Sequence, residues 1–181
     1  MAVDVASVRT MVLTDQELNQ LCQGTPPLVT PFDPTLINPA SIDIRIGTSA
    51  LVEQDNGEQM PLDLSPYNVH QPYILEPQTW LLVASLEVFH IPEFTAGEVR
   101  LKSSRAREGF DLSLALWLDP GWHGSCLTMA LRNATRFRRL GIYPGMKMAQ
   151  VILHRLSNRP QRSYAETGRY NLDRQVQGSK G

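Results

Sequence analysis

Cysteine is scarce in this chain: Cys22 and Cys126 stand far apart, at no spacing that suits a metal. They read as small, buried or half-buried thiols in a reducing compartment, not as a disulfide framework. Strong charge of one sign is missing too, since 17 Lys and Arg against 18 Asp and Glu leave a formal net charge of −1. A near-neutral chain does not coat nucleic acid wholesale. No apolar run approaches the ~18 residues of a membrane span, and no basic segment leads into an apolar one at the N-terminus. These absences point to a soluble, cytoplasmic protein. Walker loop, Gly-x-Ser-x-Gly elbow, Gly-x-Gly-x-x-Gly turn and the His-x-Glu with Pro-Cys-x-x-Cys zinc signature are all lacking. The histidines His70, His90, His123 and His154 are isolated and read as surface or packing residues. Only His123, within "DPGWHG", stands in a turn with functional context.

What is present is an ordinary globular composition, 181 residues with 42% hydrophobic and 19% charged, enough for one domain with a sizeable core. The basic residues cluster locally: Arg100, Lys102, Arg105 and Arg107 in one stretch, Arg132, Arg136, Arg138 and Arg139 in another. Such patches in a near-neutral chain favour an anion site. Residues 1–12 carry little pattern and read as a loose arm. In "TDQELNQLC", Thr14 with Glu17 three residues later makes a capping box, and Leu18, Leu21 and Cys22 supply an apolar side. Gly24 and "TPP" stop this short helix.

Strand patterns follow. "SIDIRIG" puts Ile42, Ile44 and Ile46 on one face and Ser41, Asp43 and Arg45 on the other. "WLLVASLEVFHI", "AGEVRLKS", "FDLSLALWLD", "CLTMALRN" and "MKMAQVILHRL" come next, punctuated by Pro, Gly and Asn at short intervals, as in a sandwich or barrel. The polar ending, "SYAETGRYNLDRQVQGSKG", has no core periodicity. The organisation expected is an arm (1–12), a β domain (13–157) and a flexible tail (158–181).

The order of "LTDQELNQL", "PFDPTLINPASIDIRIG", "LEPQTWLLVASLEVFHIP", "KSSRAREG", "LDPGWHG", "LTMALRN" and "YPGMKMAQVILHRL" resembles the dCTP deaminase branch of the trimeric dUTPase superfamily, over residues 12 to 156. The resemblance implies a mainly β subunit, a distorted β-barrel or jelly roll with one short N-terminal helix. It also implies a homotrimer with active sites between subunits and a deoxynucleoside triphosphate, dCTP or dUTP, bound with Mg²⁺. By motif, Lys102, Ser103, Ser104 and Arg107 face the triphosphate or the reacting base. Ala115 and Trp117 lie beside the base, Asp119 at the sugar, and Gln150 on the strand after "YPGMK". Tyr170 and Gln175 belong to a C-terminal segment that closes over the phosphates. Ser103, Arg107 and Asp119 form the implied catalytic group, and no protein ligand to a metal is implied.

One departure bears on chemistry. Members of the branch carry "TLELxN" where this chain has "TMALRN", and their Glu activates water for attack at cytosine C4. Such a base is typically worth about 10²–10⁴ in rate. Strand alternation sets Leu127, Met129 and Leu131 on one face and Thr128, Ala130 and Arg132 on the other, so Ala130 holds the Glu position and a one-residue bulge after "DPGWHG" absorbs the difference. Deamination is therefore expected to be impaired or lost. Leu116, Arg105 and Glu108 also depart from the branch, and a larger wall and added charge would disturb a base site. An active deaminase or dUTPase with a substitute acid (Glu108, Asp111 or His123) is one alternative. Another is a non-catalytic structural trimer, for example a viral or phage decoration subunit, virion-associated and contacting its partner through residues 1–12 and the second Arg cluster.

Overall fold

The computed structural model describes residues 11–112 and 117–181. In chain order it runs α1 (Asp15–Cys22), β1 (Val29–Thr30), a 3₁₀ turn (Pro34–Leu36), β2 (Ile37–Asn38), β3 (Ser41–Glu53), β4 (Gln59–Asp63), β5 (Tyr73–Leu75), β6 (Trp80–His90) and β7 (Thr95–Leu101). Then come α2 (Ser103–Glu108), β8 (Phe110–Leu112), β9 (Trp117–Leu118), β10 (His123–Asn133), β11 (Leu140–Ile142), β12 (Lys147–Arg155) and α3 (Tyr164–Thr167). The main sheet has ten strands along the path β8–β10–β6–β3–β12–β7–β9, with β1 on β6 and β2 and β4 on β3. Its two outermost strands, β8 and β9, are consecutive in the chain, so the sheet is curled into a half-barrel. The expected mainly β architecture is present, and α1 is joined by two shorter helices, α2 and α3.

The core follows from strand alternation. Ile42, Ile44 and Ile46 are all buried on one side of β3, as are Met129 and Leu131 on β10. Thr128 and Ala130 are half-buried on the opposite side and Arg132 is exposed there. At the start of β10 the ladder with β6 slips by one residue: His123 opposes His90, but Ser125 opposes Phe89. That is the bulge expected after "DPGWHG", and Gly124 accommodates it with φ +67°. At the N-terminal end, Glu17 accepts the Thr14 N–H at 3.2 Å and pairs with Arg155 at 2.7 Å, tying α1 to β12.

β6 carries a second irregularity at the sheet's centre. Between Cys126 and Thr128 the β10–β6 register jumps, and the Leu127 N–H donates to Ser85 Oγ at 2.8 Å instead of to a carbonyl. Ser85 Oγ in turn donates to the Glu87 carbonyl at 2.6 Å. The Glu87 side chain is fully buried and takes both the Arg45 N–H (2.9 Å) and the Arg45 guanidinium (2.6 Å) from β3. Gly47 fits beside this bend because it lacks a side chain.

Residues 163–177 do not leave the domain. The Leu172 N–H donates to the His123 carbonyl (3.1 Å), Cys126 N–H donates to the Asp173 carbonyl (2.8 Å), and Asp173 N–H donates to Ser125 Oγ (3.1 Å). Farther on, Val176 N–H reaches Ser49 Oγ at 3.0 Å and Gln177 N–H reaches Thr128 Oγ1 at 3.1 Å. The segment first lines the edge of β10 and then crosses the Thr128 face. His90 sits where β6, β10 and this segment converge; burial first, then the charges of His123 and Arg174, hold its imidazole below the ordinary 6.5.

Two outcomes follow. A Cβ at Gly47 would lie 2.8 Å from the Ser85 carbonyl oxygen and 3.0 Å from that of Ala84, both backbone atoms that cannot swing aside. Gly47→Ala is therefore expected to cost about 1–3 kcal/mol, read as a lower urea midpoint at unchanged slope. Because folding lowers the His90 pKa, the unfolded chain takes up the proton more readily, so this contribution is present above pH 6.5 and is lost as pH falls through the folded-state value. The thermal midpoint should drop between pH 7 and pH 5, and His90→Gln should flatten that drop.

Candidate functional site

The side of β10 that carries Thr128 forms one wall of a cavity of about 500 Å³. Trp117 and Leu118 of β9 and Asp119 just after it close one side, Trp80 and Leu82 another from β6, and Tyr164, Tyr170, Asp173 and Gln177 a third from the C-terminal segment. Aromatic faces with few, localised polar groups suit a flat heterocycle and its sugar. Trp122 lies beneath, nearly buried, stacked on Phe89 at 5.8 Å, with its indole N–H given to the Tyr170 carbonyl at 2.7 Å. That bond, the Ser125 Oγ–H given to the same carbonyl at 2.8 Å and the Asp173 N–H given to Ser125 Oγ make the C-terminal segment a wall and not a fringe. Cys126 also lines the cavity, and burial pushes its thiol up to about 11, so it is a neutral packing group and no nucleophile at pH 7.

Ala130 lies on the Thr128 side of β10, opposite Leu82 on β6. Its methyl group contributes neither an acid nor a hydrogen bond. Of the substitute acids considered, Glu108 is held by Arg105 at 2.6 and 2.8 Å within α2. Asp111 opposes Arg132 across the β8–β10 ladder and faces a different hollow, shared with Arg100 and Trp117. His123 turns Nδ1 to the Gly121 carbonyl at 3.0 Å. None of these three lines the cavity.

The phosphate-type residues form a separate group. "SSRARE" folds as α2, a short helix and not an open loop, because Gly109 takes the left-handed conformation (φ +107°) that ends it. Ser103, Ser104 and Arg107 project from it into solvent. Lys102 pairs with Asp43, which is 3% exposed and also receives Asn38 (2.8 Å) and Lys147 (3.4 Å). Gln150 sits on the same side of β12, across the ladder from Asp43, and accepts from Ser41 Oγ at 3.2 Å. Arg105 and Glu108, expected to disturb a base site, instead neutralise each other, and Arg105 Nε donates to the Lys147 carbonyl at 3.0 Å, fastening α2 to β12.

One chain thus brings together Trp117, Asp119 and Tyr170 with Thr128, and gathers Lys102, Ser103, Ser104, Arg107 and Gln150 elsewhere; none of this second group lines the cavity. Gln175 is exposed and only its carbonyl is engaged, by the Gln177 side chain at 3.4 Å. Ala115 and Leu116 lie outside the described residues, as do residues 1–10 of the expected arm. In the second Arg cluster, Arg132 donates to Gln78 (2.7 Å), Arg138 to the Glu108 carbonyl (2.9 Å) and Arg139 to Glu76 (3.0 Å), while Arg136 rests over Phe137. Most of that cluster serves the fold.

Sequence reasoning missed Trp80, Thr128, Asp173, Gln177 and Lys180. The Lys180 ammonium grips the Asp173 carboxylate at 2.7 and 2.9 Å and lies 4.9 Å from the Tyr170 ring centre. No periodicity in the C-terminal stretch marks these residues; a carboxylate with a cation seven positions on was the only available sign. Among the described residues no cluster of three or more His, Cys, Asp or Glu is placed to hold a metal. No helix among the described residues is long and apolar enough to cross a membrane.

The chain is similar to the dUMP-forming dCTP deaminase of Persephonella marina, 27% identical over 180 residues that cover 94% of this chain and 97% of that one. It is 32% identical over 164 residues to the dUMP-forming dCTP deaminase of Acidothermus cellulolyticus, with 85% of each chain covered. The fold is like that of the 2'-deoxycytidine 5'-triphosphate deaminase from Agrobacterium tumefaciens, with a TM-score of 0.66 at 19% identity. That likeness covers 81% of this chain, which spans about half (49%) of the Agrobacterium chain. A sequence profile described as dCTP deaminase-like matches residues 12–156, most of the chain, and with the curled sheet and its cavity it places the protein in the dCTP deaminase-like family.

Proposed function

We propose that this protein binds a pyrimidine deoxynucleoside triphosphate, dCTP or dUTP, in the cavity between β10, the β9 hairpin and the C-terminal segment, and that it deaminates dCTP poorly because Ala130 stands where a general base is required. The observation that carries the reading is the aromatic cavity walled by Thr128, Trp117, Asp119 and Tyr170, with a methyl group next along the strand. Asp119 is assigned to the sugar and the aromatic rings to the base. Residues 13–157 act as the domain and residues 158–181 as the cover of the site.

The phosphate group is assigned to α2. Because Ser103, Ser104 and Arg107 are exposed and stand apart from the cavity, a neighbouring copy must bring them to it, so the site is assigned to the interface of a homotrimer. In that arrangement Arg107 and the Ser hydroxyls meet phosphate oxygens as charge-assisted and neutral donors. Lys102 and Gln150 stand behind them, with Lys102 fixed by Asp43. Mg²⁺ belongs to this reading only as the counter-ion of the triphosphate, resting on phosphate oxygens, and no step depends on it.

Light scattering coupled to size-exclusion chromatography is expected to return three chain masses, and Arg107→Ala should keep that mass while weakening dCTP binding at least tenfold in calorimetry. A monomer that binds dCTP with full affinity would overturn the shared site. For the chemistry, Ala130→Glu should form dUTP or dUMP from dCTP faster than wild type by about 10²–10⁴. If dCTP binds the variant and the rate does not rise, Ala130 is not the position of the missing base.

A further inference from the structure

We infer that Arg138 is a positioning residue for the triphosphate: its guanidinium, carried on the turn after β10, holds the C-terminal end of α2 and so sets where Arg107 meets the phosphates. The inference rests on the nucleotide-binding reading above, which assigns phosphate to α2, and adds a residue that acts through that helix.

Core packing does not place α2. The helix spans six residues, Ser103–Glu108, and none of them is buried. A helix that short is not stable alone, so its orientation comes from its tethers. At its start the Lys102 N–H donates to the Met148 carbonyl at 3.1 Å, and in its middle Arg105 Nε donates to the Lys147 carbonyl at 3.0 Å. Both bonds lead to β12. At the last turn, where Arg107 stands, the tether is different: the Arg138 guanidinium donates to the Glu108 carbonyl at 2.9 Å. The closing carbonyls of a helix lack partners within it, and a cation there suits their partial negative charge. The Ala134 N–H adds a bond to the Gly109 carbonyl at 2.9 Å. Gly109 permits this approach, since a Cβ there would lie 2.1 Å from the Thr135 methyl group and 3.5 Å from Arg138 Nη2.

The turn that carries Arg138 is itself held on two sides. Asn133, fully buried, donates through Nδ2 to the Arg138 carbonyl at 2.8 Å and to the Leu75 carbonyl at 2.9 Å. The Arg138 N–H donates to Thr135 Oγ1 at 3.2 Å, and the Thr135 N–H to Asn133 Oδ1 at 3.0 Å. From the other side Gln78 Nε2 donates to the carbonyls of Ala134 (3.1 Å) and Thr135 (2.8 Å). The backbone of Arg138 is therefore fixed to the end of the sheet, while its side chain reaches a carbonyl 30 positions earlier. In the same cluster Arg139 pairs with Glu76 and Arg132 with Gln78, and Arg138 makes the link to α2.

A guanidinium bonded to a backbone carbonyl acts on a ligand through what it holds. Arg107 precedes Glu108 by one residue, so the direction in which its side chain leaves the helix follows the turn that Arg138 closes. Play at that turn loosens the contact between Arg107 and a phosphate, because a charge-assisted hydrogen bond depends on its geometry.

The test joins amide hydrogen exchange of the full-length protein without nucleotide to dCTP calorimetry, for wild type, Arg138→Met, Arg107→Ala and the double variant. Arg138→Met removes the donor and keeps an unbranched chain, so exchange at the Ala106 and Gly109 amides should quicken about tenfold while the urea midpoint stays near that of wild type. Its dCTP affinity should fall by about three- to tenfold. With Arg107→Ala already in place the same change should lower affinity by less than about twofold, since the side chain that it positions is gone. Arg138→Lys, which can still donate to the Glu108 carbonyl, should recover most of the loss. Equal losses in both Arg107 backgrounds would show that Arg138 touches phosphate itself or only supports the fold, and either result would overturn the assignment. Unchanged exchange at Ala106 and Gly109 would overturn the tether. If dCTP binds wild type and Arg138→Met alike, this inference alone fails. If dCTP does not bind wild type, the nucleotide reading fails and the inference goes with it.

Discussion

The Leu127 N–H bonds to a side chain, Ser85 Oγ, where the β10–β6 ladder offers it no carbonyl, and the arrangement of this protein hangs on that substitution. An unpaired amide at that depth would cost about 1–3 kcal/mol, so Ser85 makes an interruption tolerable that the sheet needs in order to bend. The register jumps at the same level on the other side of β6, between Ile46 and Ala50 of β3, with Gly47 pressed against the Ser85 carbonyl. Three adjacent strands therefore turn together. Glu87 completes the joint by accepting both backbone and side-chain donors of Arg45 while fully buried. Such a pair is weak evidence for net stability, since desolvation offsets most of its attraction, but removing one partner strands the other charge. Its value here is positional: it allows one way for β3 to cross β6.

The bend also decides what the cavity can be. Beyond it, β10 turns Thr128 and Ala130 away from the Met129 and Leu131 core, and Thr128 meets the C-terminal segment at Gln177. Before it, the bulge at Gly124 exposes the backbone of His123 and Cys126 to the same segment. A straight strand would have continued its ladder and left no edge for residues 172 and 173 to bond. The cover of the site and the curvature of the sheet are one feature.

Chemistry is divided unequally over this frame. The phosphate-type side is secured by ion pairs that keep it rigid: Lys102 on Asp43, Arg105 on Glu108 and on the Lys147 carbonyl. Residues that depart from the branch's usual pattern thus stabilise α2 instead of intruding on a base. The cavity is aromatic and neutral except for Asp119 and for Asp173, which pairs with Lys180. Within one chain the donors for charge lie on a surface apart from the cavity.

Much of this is written locally in the chain. Period-two alternation alone separates Leu127, Met129 and Leu131 from Thr128, Ala130 and Arg132, since adjacent side chains on a strand must point to opposite faces. The same locality gives α1 its capping carboxylate and reveals that β10 carries no acid. The sequence by itself therefore determined the strands, their inward faces and the lack of a carboxylate on β10. Only the tertiary structure decided which residues cover the Thr128 face of β10. Asp173 meets Cys126 and Ser125 across 47 and 48 positions, and Gln177 meets Thr128 across 49, in a segment with no periodicity to foretell it. Contacts of that reach are set by where the bent sheet leaves donors and acceptors unpaired, a property of the assembled fold and not of any stretch within it.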